Sequence, residues 1–531
     1  MSQLDYIVFL LYFILVSGYG YWIYQRKKAK ETSATDFFLA EGSLTWWAIG
    51  ASLIASNISA EQFIGMSGSG FAMGLAIASY EWMAAATLIV VAVFFMPGYL
   101  QNKIYTMPQF LEKRYSKLVA TSMAVFWLLV YVFVNLTSIL YLGAIAVSTI
   151  SGIDFTTCSI FLAVFAILIT LGGMKVIGYT DVIQVAILVM GGLVTTYLAL
   201  NLVASYNGSE GMFTGLRMIK EQAPDHFHMI FDESNPHYKD LPGLTVLFGA
   251  MWIANLNYWG CNQYITQRAL GASLPTARNG LLFAAFLKVL MPIIVVLPGI
   301  AAFVLHQKGM FQAEMLQDGI VKPDKAYPAL LDLLQPGLKG LSFAALTAAI
   351  VASLAGKANS IATIFTLDIY NKYINTNASE RTQVVTGRIV ILVAMAIAIV
   401  VAPQLMKLEQ GFQFIQEFTG LISPGVVAIF LLGFFWKRAT ATAALLAALL
   451  TVPMGFGMKA GFPEIPFLDR MGWVFVALVA IMVVVSLLDP ASKNNPKALK
   501  VDPESFKTST TFTVGALLIT GILAALYIVF W

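Results

Sequence analysis

A polar cluster interrupts a long apolar stretch at Leu53-Ile54-Ala55-Ser56-Asn57-Ile58-Ser59-Ala60-Glu61-Gln62. The surrounding residues 45–66 are long enough to cross a bilayer, which takes about 20 helical residues. Because polar side chains are costly in hydrocarbon, the cluster predicts a helix that is broken near mid-depth, where backbone groups become available to a ligand. A second polar run of this kind lies at residues 252–263, Trp-Ile-Ala-Asn-Leu-Asn-Tyr-Trp-Gly-Cys-Asn-Gln.

The composition indicates a membrane protein. Of the 531 residues, 59% are hydrophobic and 11% are charged, whereas a soluble domain carries about 25% charged residues. Apolar runs of this length predict helices, not barrel strands, because each helix satisfies its own backbone hydrogen bonds. We expect fourteen spans near residues 6–24, 45–66, 75–97, 118–146, 155–172, 182–204, 243–266, 276–305, 340–372, 386–403, 411–435, 439–459, 470–488 and 511–530.

The charges around the first span predict the orientation. No Lys or Arg precedes that span, and Arg26, Lys27, Lys28 and Lys30 follow it. The positive-inside rule therefore puts the N-terminus outside the cell membrane, and an even number of spans puts the C-terminus on the same side.

If the two interrupted segments each open a five-helix unit, the odd number of crossings inverts the second unit. The expected domains are residues 1–40 (peripheral helix and basic loop), 41–205 (first repeat), 206–435 (long loop and second repeat) and 436–531 (three peripheral helices).

Three charged residues fall deep within the spans: Glu81, Lys288 and Lys357. Each charge costs at least ~2.5 kcal/mol at the bilayer centre, so it marks a cavity or a partner. We expect Glu81 and Lys288 to pair across a cavity; the alternative is that the pair only holds two helices together.

Amide and aromatic side chains accompany these charges in the interrupted and neighbouring segments. Amides both donate and accept hydrogen bonds, and aromatic rings cover the apolar face of a sugar ring, so the set suits an uncharged polyol. Its members are Gln62, Asn255, Gln416, Tyr258, Tyr80 and Phe412.

Several other function classes find no support. The net charge of +4 is spread over short loops, which does not favour nucleic-acid binding. There is no glycine-rich phosphate loop, no nucleophile motif and no attached signalling domain, so an ATP-driven pump, an enzyme and a sensor are not expected. The long loops carry His226, His228 and His237, either as a metal site or within short capping helices.

Residues 51–70, Ala-Ser-Leu-Ile-Ala-Ser-Asn-Ile-Ser-Ala-Glu-Gln-Phe-Ile-Gly-Met-Ser-Gly-Ser-Gly, closely resemble the solute:sodium symporter family. Further resembling stretches are 77–83, 135–143, 180–185, 258–267, 283–288, 359–370 and 412–425. The resemblance implies an all-α fold of about fourteen helices with two inverted five-helix repeats, each opened by a broken helix. It also implies symport of a monosaccharide of the galactose/glucose class with sodium, by alternating access and with a monomer sufficient.

The resemblance also implies roles for individual residues. The sugar contacts would be Gln62, Glu81, Asn255, Lys288 and Gln416, and the gating residues Tyr258, Asn57, Met66, Tyr80 and Phe412, with Asn57 holding Tyr258. One contact is missing, because Ala84 stands where relatives usually have serine. The preferred hexose is therefore open.

The implied sodium ligands are the carbonyls of Ala55, Ile58 and Ala349 and the hydroxyl of Ser353. Ala352 stands where relatives have a second serine, and Lys357 where they usually have an apolar residue. A fixed ammonium would favour a proton-coupled or facilitative sugar carrier. If Lys357 instead faces water or pairs with Asp181, near the implied ion exit, sodium coupling survives; this is the leading hypothesis.

Overall fold

The computed structural model describes residues 2–27, 45–59, 61–104, 106–170, 174–317, 319–407 and 411–531. The helices are α1 (Gln3–Lys27), α2 (Trp46–Asn57), α3 (Glu61–Gln101), α4 (Met107–Arg114), α5 (Lys117–Ser151), α6 (Phe155–Thr170), α7 (Met174–Tyr206), α8 (Met212–Gln222), α9 (Gly243–Phe248), α10 (Met251–Gly260), α11 (Gln263–Leu270), α12 (Leu274–Gln307), α13 (Gln312–Met315), α14 (Ala326–Leu331), α15 (Leu338–Ile374), α16 (Glu380–Val401), α17 (Gly411–Gly420), α18 (Ser423–Phe435), α19 (Ala441–Gly461), α20 (Phe467–Leu488) and α21 (Thr510–Val529). Strands β1 (Leu316–Gln317) and β2 (Ile320–Val321) form a small antiparallel hairpin.

Within the described residues, nine helices are long and apolar enough to cross a membrane, and the bent pair α17–α18 makes a tenth. Shorter apolar helical segments lie at Gln3–Val16 in α1 and at Phe155–Thr170 in α6. Helix α3 is too long for one crossing, since its 41 residues would span about 60 Å as a straight helix. It turns at Gly74, where φ is +75°, so α2 with the first part of α3 forms one crossing and the rest of α3 another. The predicted fold class is confirmed.

The first predicted break lies between α2 and α3. Ile58 has extended backbone angles (φ −70°, ψ 94°), and the amide of Glu61 donates to the Ser59 hydroxyl at 3.1 Å. The amides of Gln62 and Phe63 donate to the Ser59 carbonyl. A serine that offers both its hydroxyl and its carbonyl in this way restarts a helix. A polar residue, with no proline or glycine, therefore makes the break.

The second break separates α10 from α11 at Cys261 and Asn262. The amides of Ile265 and Thr266 donate to the Asn262 carbonyl at 3.2 and 3.0 Å, so Asn262 begins the new helix. Its side-chain oxygen accepts a hydrogen bond from the Tyr131 hydroxyl. The tyrosine lies in a π-helical turn of α5, Tyr131–Leu136. The second break is thus fastened to the first five-helix unit.

Helix α12 connects the parts that form the site. It packs against α2, against both parts of α3 and against α7. The second part of α3 also packs on α10, and α15 packs on α2 and α11. Both helix breaks therefore face a region bounded by α3, α12 and α15.

Candidate functional site

A cavity lies between the two helix breaks. It is lined by residues from α2, α3, α5, α10, α12, α15, α17, α18 and α20. The lining includes all five predicted sugar contacts, which are Gln62, Glu81, Asn255, Lys288 and Gln416. The structure thus brings together side chains that are more than 350 positions apart in the chain.

The predicted pair of Glu81 and Lys288 is present in this cavity. The Lys288 ammonium lies 2.5 Å from the Glu81 carboxylate, and the two side chains are only 1% and 3% exposed. The ammonium also donates to the Asn57 side-chain oxygen and lies 5.2 Å from the Trp259 ring centroid. A buried ion pair needs such extra partners, because its desolvation cost is high.

The opposite end of the Asn57 carboxamide contacts Tyr258. Its nitrogen donates to the Tyr258 hydroxyl at 3.2 Å, which is the contact that the sequence predicts. Tyr258 lines the cavity and stands edge-on to Trp259, with ring centroids 5.1 Å apart. The ion pair, the carboxamide and the tyrosine therefore form one continuous hydrogen-bonded chain.

The aromatic rings of Tyr80 and Phe412 form another part of the cavity wall. The two rings meet edge to face with centroids 5.2 Å apart. Met66, predicted in the same group, is fully buried but is not among the lining residues. Ala84 does line the cavity, on the helix that carries Glu81.

The predicted sodium ligands lie on two elements that pack against each other, with Ala55 and Ile58 at the end of α2 and Ala349 and Ser353 on α15. The Ser353 hydroxyl is fully buried and has no hydrogen-bond partner among the described residues. The amide of Ser59, which would reach the Ala55 carbonyl in a continuous helix, faces the Gln62 side chain at 3.5 Å. The amide of Gln62, which would reach the Ile58 carbonyl, donates to Ser59. At the break, the carbonyl oxygens of Ala55 and Ile58 therefore lose the amide donors that a continuous helix would give them. A cation site requires such available carbonyl oxygens.

Two further charged residues, Lys357 and Glu61, line the cavity. The Lys357 ammonium lies 4.5 Å from the Tyr131 ring centroid. Glu61 belongs to the polar cluster at residues 53–62 but is not among the three predicted intramembrane charges. Its position inside the predicted span 45–66 is the signal that marks it as a further functional charge. The side chain of Asp181 lies outside the described residues.

Comparison with known proteins identifies the family. A model of the sodium:solute symporter family matches residues 37–451. The chain belongs to the sodium:solute symporter family. This membership supports sodium as the co-transported ion and agrees with the resemblance predicted from residues 51–70.

Individual members of the family match over most of their length. A sodium/glucose cotransporter of Vibrio parahaemolyticus is 46% identical over 539 residues, covering 100% of this chain and 99% of the relative. A sodium/myo-inositol cotransporter 2 of Oryctolagus cuniculus is 34% identical, covering 85% and 69% respectively. The structure of a Na⁺-coupled sialic acid symporter superposes with a TM-score of 0.79 at 22% identity, over 92% of this chain and 98% of that one. The likeness in structure shows the shared fold.

Proposed function

We propose that this family member carries a monosaccharide of the galactose/glucose class into the cell together with sodium. The Glu81–Lys288 pair carries the proposal, because it lies buried in the cavity among amides and aromatic rings. A carboxylate accepts from sugar hydroxyls and an ammonium donates to them, so the pair would recognise two neighbouring hydroxyls with no net charge. The relatives named for glucose and myo-inositol transport support a polyol substrate.

The gate on one side of the sugar would be Tyr258. Its hydroxyl is held by Asn57, and Asn57 in turn accepts from Lys288. A sugar hydroxyl that binds Lys288 competes with Asn57 for the ammonium. Substrate binding would therefore be linked to the release of Tyr258, while Tyr80 and Phe412 close the other side.

Sodium would bind between the first break and α15, at the carbonyls of Ala55, Ile58 and Ala349 and the hydroxyl of Ser353. The diverted amides at the break and the Ser353 hydroxyl support this position. Ala352 supplies no second hydroxyl, so water would complete the coordination. Sodium at this position would hold α2 against α15 and favour the state that binds sugar.

The ion gradient would supply the energy for accumulation. One charge crossing ~100 mV yields about 2.3 kcal/mol, and a tenfold sodium gradient adds about 1.4 kcal/mol. At one sodium per sugar, about 3.7 kcal/mol supports a sugar concentration ratio of several hundred. Both terms favour entry of sodium, so net movement of sugar is directed inward.

Uptake of labelled glucose and galactose into proteoliposomes tests the proposal. An inward sodium gradient should drive transient accumulation above equilibrium, and choline in place of sodium should abolish it. Unlabelled myo-inositol should be included as a competitor. Accumulation driven by a proton gradient alone, or equal equilibration in sodium and choline, would establish the proton-coupled or facilitative alternative instead.

A further inference from the structure

Lys357 sits at the junction that the proposed sodium site occupies. It is only 3% exposed and lies four residues after Ser353, which is about one helical turn along α15. Glu61 lies three residues after Ile58 on the other side of the junction. Both side chains line the central cavity, and the carboxylate of Glu61 and the ammonium of Lys357 attract each other.

The same ammonium also reaches the second helix break. It lies 4.5 Å from the centroid of the Tyr131 ring, a distance at which a cation and an aromatic face attract. The Tyr131 hydroxyl donates to Asn262, the residue that begins α11. Through these contacts Lys357 is connected to both breaks.

A second cation lies nearby and acts against the first. Arg268 on α11 repels Lys357 electrostatically, and its Nε donates to the Ser52 hydroxyl on α2 at 2.9 Å. Glu61 therefore stabilises the ammonium of Lys357 electrostatically, and Arg268 opposes it. The attraction of Glu61 offsets part of the repulsion from Arg268.

We propose that Lys357 is a tethered cation that, through Glu61, holds the first helix break against α15 when sodium is absent, while its contact with Tyr131 connects it to the second break. The inference rests on the proposed function, because it assumes that sodium joins the same two elements. A ligand shifts a conformational equilibrium only by its differential affinity for the two states. If the attraction between Glu61 and Lys357 already favours the state in which the first break is held against α15, sodium has less of the equilibrium left to shift. Lys357 is thus a positioning residue that does not touch the sugar. It reduces the dependence of sugar binding on sodium.

The test compares sugar affinity in sodium chloride and in choline chloride for the purified full-length protein. The main variant is Lys357→Met with Glu61→Gln, which removes both charges and leaves neither unpaired. The ratio of sugar affinity in sodium chloride to sugar affinity in choline chloride should be about tenfold larger in this variant than in the native protein. A change of this size is within the range of coupling between neighbouring charged groups. Glu61→Gln alone should shift the ratio in the same direction, and Lys357→Arg should preserve the native ratio.

The controls separate this effect from general damage. Thr363→Val alters α15 at a buried hydroxyl that donates to the Asn359 carbonyl one turn earlier in the same helix, and it should leave the ratio unchanged. An equal ratio in the native protein, Glu61→Gln and the double variant would overturn the inference. Failure of the native protein to bind sugar in either salt would instead refute the proposed function.

Discussion

The Lys288 ammonium bridges the Glu81 carboxylate, at 2.5 Å, and the side-chain oxygen of Asn57. Asn57 lies on the last turn of α2, directly before the first break. The group proposed to bind sugar is therefore in contact with the residue that fastens Tyr258. This relationship connects the proposed sugar contact Lys288 with the proposed gate Tyr258 by two hydrogen bonds.

Glu81→Gln should weaken sugar binding by at least about thirtyfold, because removing the partner of a buried charge typically costs 2–5 kcal/mol. The change leaves the Lys288 ammonium without a carboxylate partner. Sugar affinity and the apparent melting temperature should be measured together. If the pair only joins two helices, the melting temperature will fall and the remaining folded protein will bind sugar normally.

A matched control lies outside the cavity. Lys372 bonds Glu112 at 2.5 Å and Asp368 at 3.0 Å near the end of α15. Glu112→Gln also removes a carboxylate from a lysine, but Lys372 retains its second partner and is 19% exposed. This variant should bind sugar with native affinity.

Tyr258→Phe should accelerate the exit of sugar while changing equilibrium binding only a few-fold. The change removes the hydroxyl that accepts from Asn57 and keeps the ring that borders the cavity. A neutral hydrogen bond contributes about 1 kcal/mol, so the gate should open several times faster. Efflux from preloaded proteoliposomes measures this rate. An unchanged efflux rate would show that the hydroxyl does not hold the gate.

The sequence predicts the breaks better than it predicts their surroundings. Polar residues in mid-span cannot all be satisfied in a continuous apolar helix, so the interruptions after Asn57 and Gly260 are visible locally. The contacts of Lys288 with Asn57 and of Tyr131 with Asn262 join residues that are 231 and 131 positions apart. No local pattern encodes those pairings. The turn at Gly74 falls between the predicted spans 45–66 and 75–97, but the sequence does not show that it packs on the loop that contains His226.

Ala84→Ser should strengthen sugar binding by about 2- to 13-fold, which corresponds to one hydrogen bond of 0.5–1.5 kcal/mol. Ala84 lines the cavity one turn after Glu81 and is 2% exposed, so the added hydroxyl would face the substrate. Because a hydroxyl contact distinguishes sugar epimers, the ratio of galactose to glucose affinity should change as well. Competition by each sugar against a labelled hexose measures both effects. Equal affinities before and after substitution would place the sugar elsewhere in the cavity.

Gly74→Ala should lower the apparent melting temperature more than Gly152→Ala. Both glycines have φ of +75°, but ψ at Gly74 is −150°, in a region that is essentially limited to glycine. A Cβ atom on Gly74 would also lie 2.4 Å from the backbone of His226, whereas one on Gly152 would meet nothing within 4 Å. The loop that contains His226 would have to move away from the turn. Similar melting temperatures for the two variants would contradict this close packing.

Acidification should destabilise the contact between this loop and α3. Burial is the main cause that lowers the pKa of His226 below its ordinary value of 6.5, and His237 adds to the effect. The neutral ring stacks on Phe303 with centroids 4.0 Å apart, and its Nε2 lies 3.1 Å from the Phe71 carbonyl oxygen. Below pH 6.5 the unfolded chain binds a proton that the folded ring resists. The stability due to His226 is therefore complete above that pH and is lost as the pH falls through the lowered pKa.

His226→Gln isolates this pH dependence, because glutamine does not titrate in this range. The apparent melting temperature of the native protein should fall more steeply between pH 6.5 and pH 5 than that of the variant. At pH 8 the melting temperature of the variant should differ from that of the native protein only through the lost packing of the ring on Phe303. This difference is the reference for the comparison at lower pH. Parallel profiles through the acidic range would mean that His226 keeps the same proton affinity in the folded and unfolded chains. The buried stacking would then have no influence on its ionisation, contrary to the desolvation that its position imposes.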